Sequence, residues 1–254
     1  MSFEIAGQRI GWGYSPVIGC DLSLNHLGDI NIALEMIDGI AKAGADACKV
    51  QYYRTEDFCT DRKRMVTYKI RGREIVEKEY DFFKRHEIDL DFVRACRDRA
   101  WSHNLMFGVT TTSVEGVKEV ADLANFFKIA SDMVDKGAMI SAMRETELPI
   151  ILSTGHLNLN DIRRVAHQND LVLHCVSEYP CENPKLWKIR HLQEMGYITG
   201  YSSHTRNIED CIQAVNLGAV FIEKHFVLSK DMDAPDVEFS ADPQELRALV
   251  EAVK

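Results

Sequence analysis

The sequence predicts a single (β/α)₈ (TIM) barrel over residues 1–254. Short apolar segments of strand length alternate with longer segments in which apolar residues recur every three or four positions. Eight such units in about 240 residues match this barrel in number and in size. The apolar segments also lack two-residue alternation, which is typical of parallel strands that are covered on both faces.

The predicted elements alternate along the chain. Strands are expected at Val17–Cys20, Ala47–Val50, Leu105–Val109, Phe126–Ile129, Ile150–Leu152, Leu171–Leu173, Ile198–Gly200 and Val220–Ile222. Helices are expected at Ile30–Ala43, Leu90–His103, Val114–Leu123, Lys136–Arg144, Leu159–His167, Pro184–Glu194, Ile208–Leu217 and Pro243–Val253. Gly44 and Gly218 each stand between a helix and the next strand, where a helix C-cap requires a left-handed residue. The first 14 residues predict a short hairpin that caps the barrel floor.

An open, doubly wound sheet is the competing architecture. Its phosphate-binding turn would be a glycine-rich segment after the first strand, whereas residues 21–25 are Asp-Leu-Ser-Leu-Asn. The sequence therefore favours the closed barrel.

One long insertion interrupts the alternation at Tyr53–Asp89, between the second strand and its helix. It is partly basic and also carries aromatic residues. Loops of this length are usually functional or disordered, and on a barrel this one leaves the catalytic face. We therefore expect it to cover a substrate, with a plain solvated loop as the alternative.

Composition and charge argue against several classes of protein. The formal net charge is −9 without a basic stripe, so a nucleic-acid partner is not expected. The chain lacks an apolar run near the ~20 residues of a membrane span, and its first residues lack the pattern of a signal peptide. The seven cysteines show no CxxC spacing and fit buried, reduced thiols. We expect a cytoplasmic protein with no membrane partner.

Polar residues follow every predicted strand. In a packed barrel the catalytic groups lie at the carboxyl ends of the strands. Those positions hold groups that bind charge, protons or metal ions: Asp21 with Asn25 and His26, Lys49 with Gln51, Thr110 to Thr112, Lys128 with Ser131, Ser153 with Thr154, His174 with Ser177, Ser202 with His204, and Glu223 to His225. A barrel built only for stability does not need this pattern. The sequence therefore predicts an enzyme.

The histidines at the strand ends predict a metal site. His204 and His225 end adjacent strands, and two neutral imidazoles with oxygen ligands suit Mn²⁺, Zn²⁺ or Co²⁺. A satisfied hydrogen bond or surface exposure is the alternative for either residue. His26 is a weaker candidate for holding substrate, and His174 is expected deeper in the barrel. Four histidines on predicted helices or their edges are expected at the surface: His86, His103, His167 and His191.

Two lysines close apolar segments, where packing alone rarely requires a lysine. Lys49 and Lys128, with the hydroxyls of Ser131, Ser153 and Ser202, predict a pocket for a small anion with two or three charges. A Schiff-base lysine is the rival role, since desolvation between cations lowers the pKa of a lysine. The paired histidines and the serines favour the anion pocket.

Several motifs resemble one known family. They are Asn25-His26-Leu27-Gly28-Asp29, the segment 43–51 (Ala-Gly-Ala-Asp-Ala-Cys-Lys-Val-Gln), Lys128-Ile129-Ala130-Ser131, Ile151-Leu152-Ser153-Thr154-Gly155, the segment 174–180 (His-Cys-Val-Ser-Glu-Tyr-Pro), the segment 200–205 (Gly-Tyr-Ser-Ser-His-Thr), Glu223-Lys224-His225-Phe226 and Pro235-Asp236. In this order, and over almost the whole chain, they resemble the sialic acid (N-acetylneuraminate) synthases. Each motif alone is weak, but together they are highly specific.

The resemblance implies a (β/α)₈ barrel that condenses phosphoenolpyruvate with an open-chain N-acylated aldose. In that family C3 of phosphoenolpyruvate attacks the aldehyde, which a divalent metal ion polarises; water then adds to C2 and phosphate leaves. The product is a sialic-acid-like (nonulosonic) 2-keto-3-deoxy acid. The family also forms homodimers, which we expect here.

The resemblance assigns roles residue by residue. His204 and His225 correspond to the metal ligands, with Mn²⁺ expected and Mg²⁺ or Co²⁺ as alternatives. The implied phosphoenolpyruvate pocket comprises Lys49, Lys128, Ser131, Ser153, Ser177 and Ser202, with Thr110 and Tyr179 beside it. Asp236 corresponds to a sugar-contacting aspartate, Asp21 is expected to be catalytic, and Asn25 is expected to bind substrate.

The departures from the family pattern cluster on the sugar side. Asp21 replaces a glutamate, Ser23 a glycine, Asp132-Met133 a glycine–acid pair, His156 a methionine, and Ser203 the aspartate before the first metal histidine. The family's C-terminal antifreeze-protein-like domain, which supplies an arginine to the partner's sugar site, is not expected in this chain. We therefore expect the same chemistry on a different or differently held acceptor sugar.

Two other functions stay open on the sequence alone. One is a Schiff-base aldolase that acts through Lys49 or Lys128. The other is a non-catalytic barrel that binds phosphoenolpyruvate or a sugar acid for regulation. The complete set of lysines, serines and paired histidines favours the metal-dependent synthase.

Overall fold

The computed structural model describes residues 2–254, which form twelve strands and nine α-helices in that range. The strands are β1 (Ser2–Ile5), β2 (Gln8–Gly11), β3 (Val17–Asp21), β4 (Ala47–Tyr52), β5 (Met65–Ile70), β6 (Arg73–Lys78), β7 (Met106–Thr111), β8 (Phe126–Ile129), β9 (Ile150–Ser153), β10 (Leu171–His174), β11 (Ile198–Ser203) and β12 (Phe221–His225). The helices are α1 (Ile30–Ala43), α2 (Glu79–Lys84), α3 (Leu90–Ser102), α4 (Val114–Val120), α5 (Gly137–Glu145), α6 (Leu159–Val165), α7 (Trp187–Glu194), α8 (Glu209–Asn216) and α9 (Pro243–Val253).

Eight parallel strands close into a barrel in the order β3, β4, β7, β8, β9, β10, β11 and β12. The barrel closes between β12 and β3, where His225 lies beside Asp21 in the register. Asp21 is in turn the neighbour of Lys49 on β4. The closed (β/α)₈ barrel predicted from the sequence is confirmed, and the open doubly wound sheet is excluded.

The amino-terminal hairpin covers the floor of the barrel. Strands β1 and β2 pair antiparallel. Ile5 and Ile10 are fully buried and pack with floor residues from the barrel strands, including Phe126 and Phe221. The predicted capping hairpin is therefore confirmed.

The helices form an outer layer that packs its apolar side on the barrel. Asp29 caps the amino end of helix α1, because its side chain accepts a hydrogen bond from the backbone N–H of Asn31. The helix buries Met36 on its inner side. It ends at Gly44, which adopts the left-handed conformation with φ 88°. Gly218 after α8 has φ 94°. Both glycines thus have the conformation that the sequence predicts, which a side chain would disfavour.

The element boundaries differ from the prediction mainly at the carboxyl ends. The barrel strands continue into polar residues such as Asp21, Thr111 and His225, because the backbone ladder does not depend on side-chain polarity. Several helices are shorter than predicted; α4 ends at Val120 and passes into a 3₁₀ turn. Helix α6 ends at Val165 instead of His167.

The insertion at 53–89 is folded rather than an irregular loop. It contains a 3₁₀ turn (Thr55–Asp57), the antiparallel hairpin of β5 and β6, and helix α2. The hairpin turns at Arg71 and Gly72, which both have positive φ, as a tight two-residue turn requires. None of these elements is predicted from the sequence.

The tip of this hairpin contacts the segment between β12 and α9. The backbone N–H of Gly72 donates to Glu238 Oε1 at 2.8 Å. Arg71 donates to the backbone oxygen of Asp231 at 2.7 Å, and Arg73 donates to Asp233 at 3.0 Å. The insertion therefore reaches from β4 past β3 to the segment after β12, along one side of the mouth of the barrel.

Within residues 2–254 no helix is long and apolar enough to cross a membrane. The cysteines are all free and all buried: Cys20, Cys48, Cys59, Cys96, Cys175, Cys181 and Cys211. They behave as the buried thiols that the sequence predicts.

We predict that Gly108→Ala destabilises the barrel floor. A Cβ at Gly108 would lie 2.2 Å from the ring of Phe126, which is buried in the floor cluster and has little room to move. The expected loss is about 1–3 kcal/mol in the free energy of unfolding, measured by chemical denaturation. Gly137→Ala is the matched control, because a Cβ there meets nothing within 4 Å. Equal stability of Gly108→Ala and the unmodified chain would contradict this account.

Candidate active site

A polar cavity of about 730 Å³ opens at the carboxyl ends of the barrel strands. All eight barrel strands, or the residues directly after them, contribute to its lining. The sequence-predicted site residues that line it are Asp21, Lys49, Thr110, Lys128, Ser131, Ser153, Tyr179, Ser202, His204, His225 and Asp236. The topology thus brings most of the predicted set into one cavity.

Lys49 and Asp21 form the first of two buried ion pairs at the base of this cavity. Their side chains are only 5% and 3% exposed. Burial alone would raise the pKa of Asp21, but the adjacent Lys49 ammonium outweighs it and holds the pKa of this carboxyl well below its usual range. Gln51 also donates to Asp21, at 3.1 Å. Asp21 is therefore a charged, fixed group.

Lys128 and Glu223 form the second pair. Lys128 Nζ lies 3.3 Å from Glu223 Oε1 and donates to Ser153 Oγ at 2.7 Å. Ser202 Oγ donates to the same Glu223 oxygen at 2.9 Å. Burial opposes ionisation of Glu223, but Lys128 and then Lys49 lower its pKa below the usual value. Two ammonium groups and two carboxylates therefore share one buried floor.

Sequence reasoning noted Glu223 at a strand end but assigned it no role. Its side chain faces the cavity because it pairs in register with Ser202 on β11. The signal available in the sequence was its position two residues before His225, which points to the same side of the strand. The identity of its lysine partner depends on barrel closure and could not be inferred from spacing.

Two threonine hydroxyls in the cavity have no hydrogen-bond partner within residues 2–254. They belong to Thr110 and Thr112, both buried and both in the lining. An unsatisfied buried hydroxyl costs about 1–3 kcal/mol. An ordered water molecule or a polar ligand can supply the missing partners of such groups.

Ser131 and Ser177 form a hydroxyl pair at the edge of the cavity. Their Oγ atoms are 2.9 Å apart. Ser131 lines the cavity, whereas Ser177 lies behind it. A Cβ at Gly155 would lie 2.2 Å from Ser177 Oγ, so only glycine leaves room for this pair.

His204 and His225 both line the cavity and lie close together. Their ring centroids are 5.5 Å apart with an interplanar angle of 77°. His204 Nδ1 lies 2.8 Å from the backbone oxygen of Val176, and His225 Nδ1 lies 3.2 Å from Asp236 Oδ2. Burial and the neighbouring His225 lower the pKa of His204 to about 3. His204 is therefore a neutral imidazole.

These two histidines fit a divalent metal ion. If each Nδ1 carries the proton that it shares with an oxygen, each Nε2 keeps a free lone pair, the usual arrangement for metal-binding histidines. Asp21 Oδ2 is 4.0 Å from His225 Nε2 and adds negative charge nearby. Among the described residues there is no preassembled group of three or more ligands. The remaining coordination positions would go to water and substrate oxygens.

Asn25 does not line the cavity, contrary to its expected role in substrate binding. Its side chain is fully buried and donates to the backbone oxygen of Phe226 at 2.8 Å and to Ser240 Oγ at 2.9 Å. Its oxygen accepts from the backbone N–H of Asp236 at 3.1 Å. Asn25 therefore holds the segment that carries Asp236.

Three further histidines differ from the expectation. His26 is fully buried outside the cavity lining and packs its ring 5.1 Å from that of Phe92. His86 is 3% exposed rather than at the surface, and its Nδ1 bonds the backbone oxygen of Phe82 at 2.7 Å. Packing of the folded insertion buries His86, which the polar sequence around it did not indicate. His174 is buried but does not lie deeper in the barrel as expected: it faces helix α7, and its Nε2 lies 2.7 Å from the backbone oxygen of Pro184.

The insertion forms one wall of the cavity. Aromatic side chains of this wall pack edge to face; Phe58 and Phe83 have centroids 5.0 Å apart. Its residues in the lining are Tyr53, Asp57, Phe58, Arg64, Glu79, Phe82 and Phe83. Opposite this wall, Tyr179 stacks at 4.2 Å from His204 and is 56% exposed. The insertion is therefore placed to cover a bound molecule.

The fold and the polar cavity define a (β/α)₈-barrel enzyme with its site at the carboxyl ends of the strands. A model of the family described as NeuB matches residues 36–254, and the chain belongs to this family. The resemblance predicted from the sequence motifs is thereby confirmed.

Named relatives and a solved structure agree with this assignment. The chain is 34% identical to the pseudaminic acid synthase of Helicobacter pylori, over 94% of this chain and 74% of that protein. It is 31% identical to the N,N′-diacetyllegionaminic acid synthase of Campylobacter jejuni, over 94% of this chain and 75% of that protein. The N-acetylneuraminic acid (sialic acid) synthetase of Leptospira borgpetersenii, solved with citrate, matches with a TM-score of 0.89 at 28% identity, covering 100% of this chain and 87% of that chain.

We predict that Asn25→Ala lowers the stability of the fold and removes no direct substrate contact, because Asn25 does not line the cavity. The change leaves the backbone oxygen of Phe226 and the backbone N–H of Asp236 without this partner; Ser240 loses one hydrogen bond, although its hydroxyl still donates to the backbone oxygen of Asp236. The expected cost is about 1–3 kcal/mol in the free energy of unfolding, measured by denaturant titration. Asn160→Ala, at an exposed position, is the control and should change stability by less than about 0.5 kcal/mol. Lost activity at unchanged stability would instead indicate direct substrate contact by Asn25.

Proposed function

We propose that the chain condenses phosphoenolpyruvate with a sugar aldehyde in a metal-dependent reaction that yields a 2-keto-3-deoxy sugar acid and phosphate. One observation carries this proposal. Two buried lysines with carboxylate partners and two neighbouring imidazoles face the same cavity at the mouth of a closed barrel. The named relatives, which are synthases of pseudaminic and legionaminic acids, support the reaction class.

Phosphoenolpyruvate would bind at the floor of the cavity. Its carboxylate and phosphate need cations and hydroxyl donors, which Lys49, Lys128, Ser131 and Thr110 offer there. The ammonium groups are already held by Asp21 and Glu223, so they are positioned before the ligand arrives. A fixed set of donors costs little reorganisation when the ligand binds.

The sugar would bind above this floor with its aldehyde toward the histidines. Asp236 lines this side and is held by hydrogen bonds to Ser23 and, through its backbone, to Asn25. The insertion wall and Tyr179 would cover the carbons of the sugar beyond its aldehyde and exclude water. The sequence resemblance implies an N-acylated aldose as the acceptor. Its hydroxyls could donate to the carboxylate of Asp236, and its apolar acyl group could pack on the aromatic wall.

The bond changes balance with one water molecule. C3 of phosphoenolpyruvate forms a bond to the aldehyde carbon, and the aldehyde oxygen takes up a proton. The C2=C3 double bond supplies the electron pair for this new bond, and water adds to the cationic C2 and gives up one proton. As the C–O bond to phosphate breaks with the electron pair on phosphate, the C2 hydroxyl gives up its proton to phosphate and becomes the ketone. His204 and His225 would hold a divalent ion, Mn²⁺ in first place, which when bound stabilises negative charge on the aldehyde oxygen. The homodimer and the cytoplasmic location expected from the sequence stay predictions.

The decisive experiment follows both products. Phosphate release is measured with phosphoenolpyruvate, Mn²⁺ and a panel of free and N-acylated aldoses, and mass spectrometry with ¹³C-labelled phosphoenolpyruvate identifies the sugar acid. A three-carbon mass increase in the sugar, stoichiometric with phosphate, is expected. Tight binding of phosphoenolpyruvate without any product across the panel would favour the non-catalytic barrel instead.

We predict that removing the metal or either imidazole abolishes turnover. Chelation with EDTA should remove activity, and added Mn²⁺ should restore it. His204→Ala and His225→Ala should each lower kcat/KM by about 100-fold or more, because one transition-state interaction of this kind contributes roughly 3 kcal/mol. His167→Ala, at an exposed position, should leave the rate unchanged. Full activity of both site variants in the presence of EDTA would overturn the metal role.

We also predict that the lysines do not form a Schiff base. Both are engaged by carboxylates as charged groups, whereas a Schiff base needs a neutral amine. Borohydride reduction in the presence of pyruvate, a keto acid, should leave the mass of the protein unchanged. A reduced adduct mapped to Lys49 or Lys128 would establish the aldolase alternative.

A further inference from the structure

A second polar cluster lies directly behind the histidines, on the outer side of the barrel wall. Because side chains alternate along a strand, Ser202 and Glu223 face the cavity, while the next pair in the register, Ser203 and Lys224, faces helix α8. Lys224 is fully buried in this outer layer. A buried lysine that does not reach the cavity requires a physical account of its own.

Lys224 has three oxygen acceptors. Its Nζ donates to Ser203 Oγ at 3.0 Å, to the backbone oxygen of Thr205 at 2.6 Å and to that of Asn207 at 2.9 Å. Two of these acceptors belong to the segment that follows His204 directly. Lys224 itself immediately precedes His225. A single ammonium group therefore ties the backbone after one histidine to the strand that carries the other.

Asp210 completes this cluster from the first turn of α8. Its Oδ2 accepts from Ser203 Oγ at 2.7 Å and from the hydroxyl of Tyr201 at 2.6 Å. Ser203 thus donates to the carboxylate and accepts from the ammonium, and it stands between two opposite buried charges. Ser203 and Asp210 are 0% and 6% exposed.

We infer that Lys224, Ser203 and Asp210 are positioning residues that fix the spacing of His204 and His225 and thereby set the affinity for a divalent metal ion. None of the three lines the cavity, so their effect must pass through the backbone on either side of the histidines. Loss of the network frees the segment 205–207 and lets His204 move relative to His225. This inference rests on the metal role in the proposed function.

The test measures metal binding without substrates. Mn²⁺ affinity of the purified chain is determined by titration calorimetry and by the electron paramagnetic resonance signal of free Mn²⁺. Lys224→Met removes the ammonium at similar volume and should weaken Mn²⁺ binding by about 10- to 100-fold, the usual cost of losing support behind a metal ligand. Ser203→Ala, a milder change, should weaken it in the same direction and decides the matter if Lys224→Met does not fold.

A double variant that moves the carboxylate from position 210 to position 203 distinguishes a positioning role from general destabilisation of the fold. Asp210→Asn should weaken Mn²⁺ binding, and adding Ser203→Asp should recover most of the loss, because the new carboxylate would stand where Ser203 now meets Lys224. The matched control is Asp170→Asn, which breaks the buried pair of Arg144 and Asp170 at the start of β10, at the opposite end of the barrel. It should lower stability and leave the Mn²⁺ affinity unchanged.

Each outcome decides between the claims. Unchanged Mn²⁺ affinity in Lys224→Met and Ser203→Ala, with normal binding by the unmodified chain, would overturn the positioning network alone. Equal weakening by Asp170→Asn would show that the effect is general destabilisation and would also overturn it. Absence of Mn²⁺ binding by the unmodified chain would overturn the metal role in the proposed function, and this inference with it.

Discussion

Compensation of buried charge at the base of the cavity is the constraint on which the site depends. A lysine enclosed by eight strands costs several kcal/mol unless a carboxylate or another acceptor faces it. Lys49 and Lys128 meet this requirement through Asp21 and Glu223. The register makes the first pairing possible, because Lys49 and Asp21 are neighbours on adjacent strands. The same pairs fix the positions of the two ammonium groups that would bind an anionic ligand in the proposed function.

Side chains alternate along a strand, so the residues next to the cavity-facing ones point to the outer side of the barrel and place a second set of charges there. On β11 and β12 one register pair faces the cavity, and the next, Ser203 with Lys224, faces α8. Neither layer can be altered in isolation, since the two share a backbone. Under the positioning inference, residues outside the cavity would influence the geometry of the histidines that line it. A change in how α8 packs on β11 and β12 is therefore expected to change the geometry of the histidine pair as well.

The sequence predicted the barrel well because parallel strands buried on both faces are uniformly apolar. It predicted the residue types at the strand ends but not the direction of each side chain. Asn25 turned away from the cavity and Glu223 turned into it, and both outcomes depend on the closed register. The hairpin of β5 and β6 was missed because its strands are mostly exposed and mix apolar with charged residues inside a long, partly basic insertion. His86 was misplaced for the related reason that the folded insertion buries it.

The two levels of the cavity face different limits on sequence change. At the floor each charged side chain is half of a buried pair, so replacing one leaves the other uncompensated. The tip of the insertion hairpin is held instead by exposed contacts, such as Arg73 with Asp233, which contribute little to stability. Substitutions there alter shape and charge without a large cost to the barrel. Divergence in acceptor sugar should therefore concentrate in the insertion and the segment around Asp236, while the floor keeps the same chemistry.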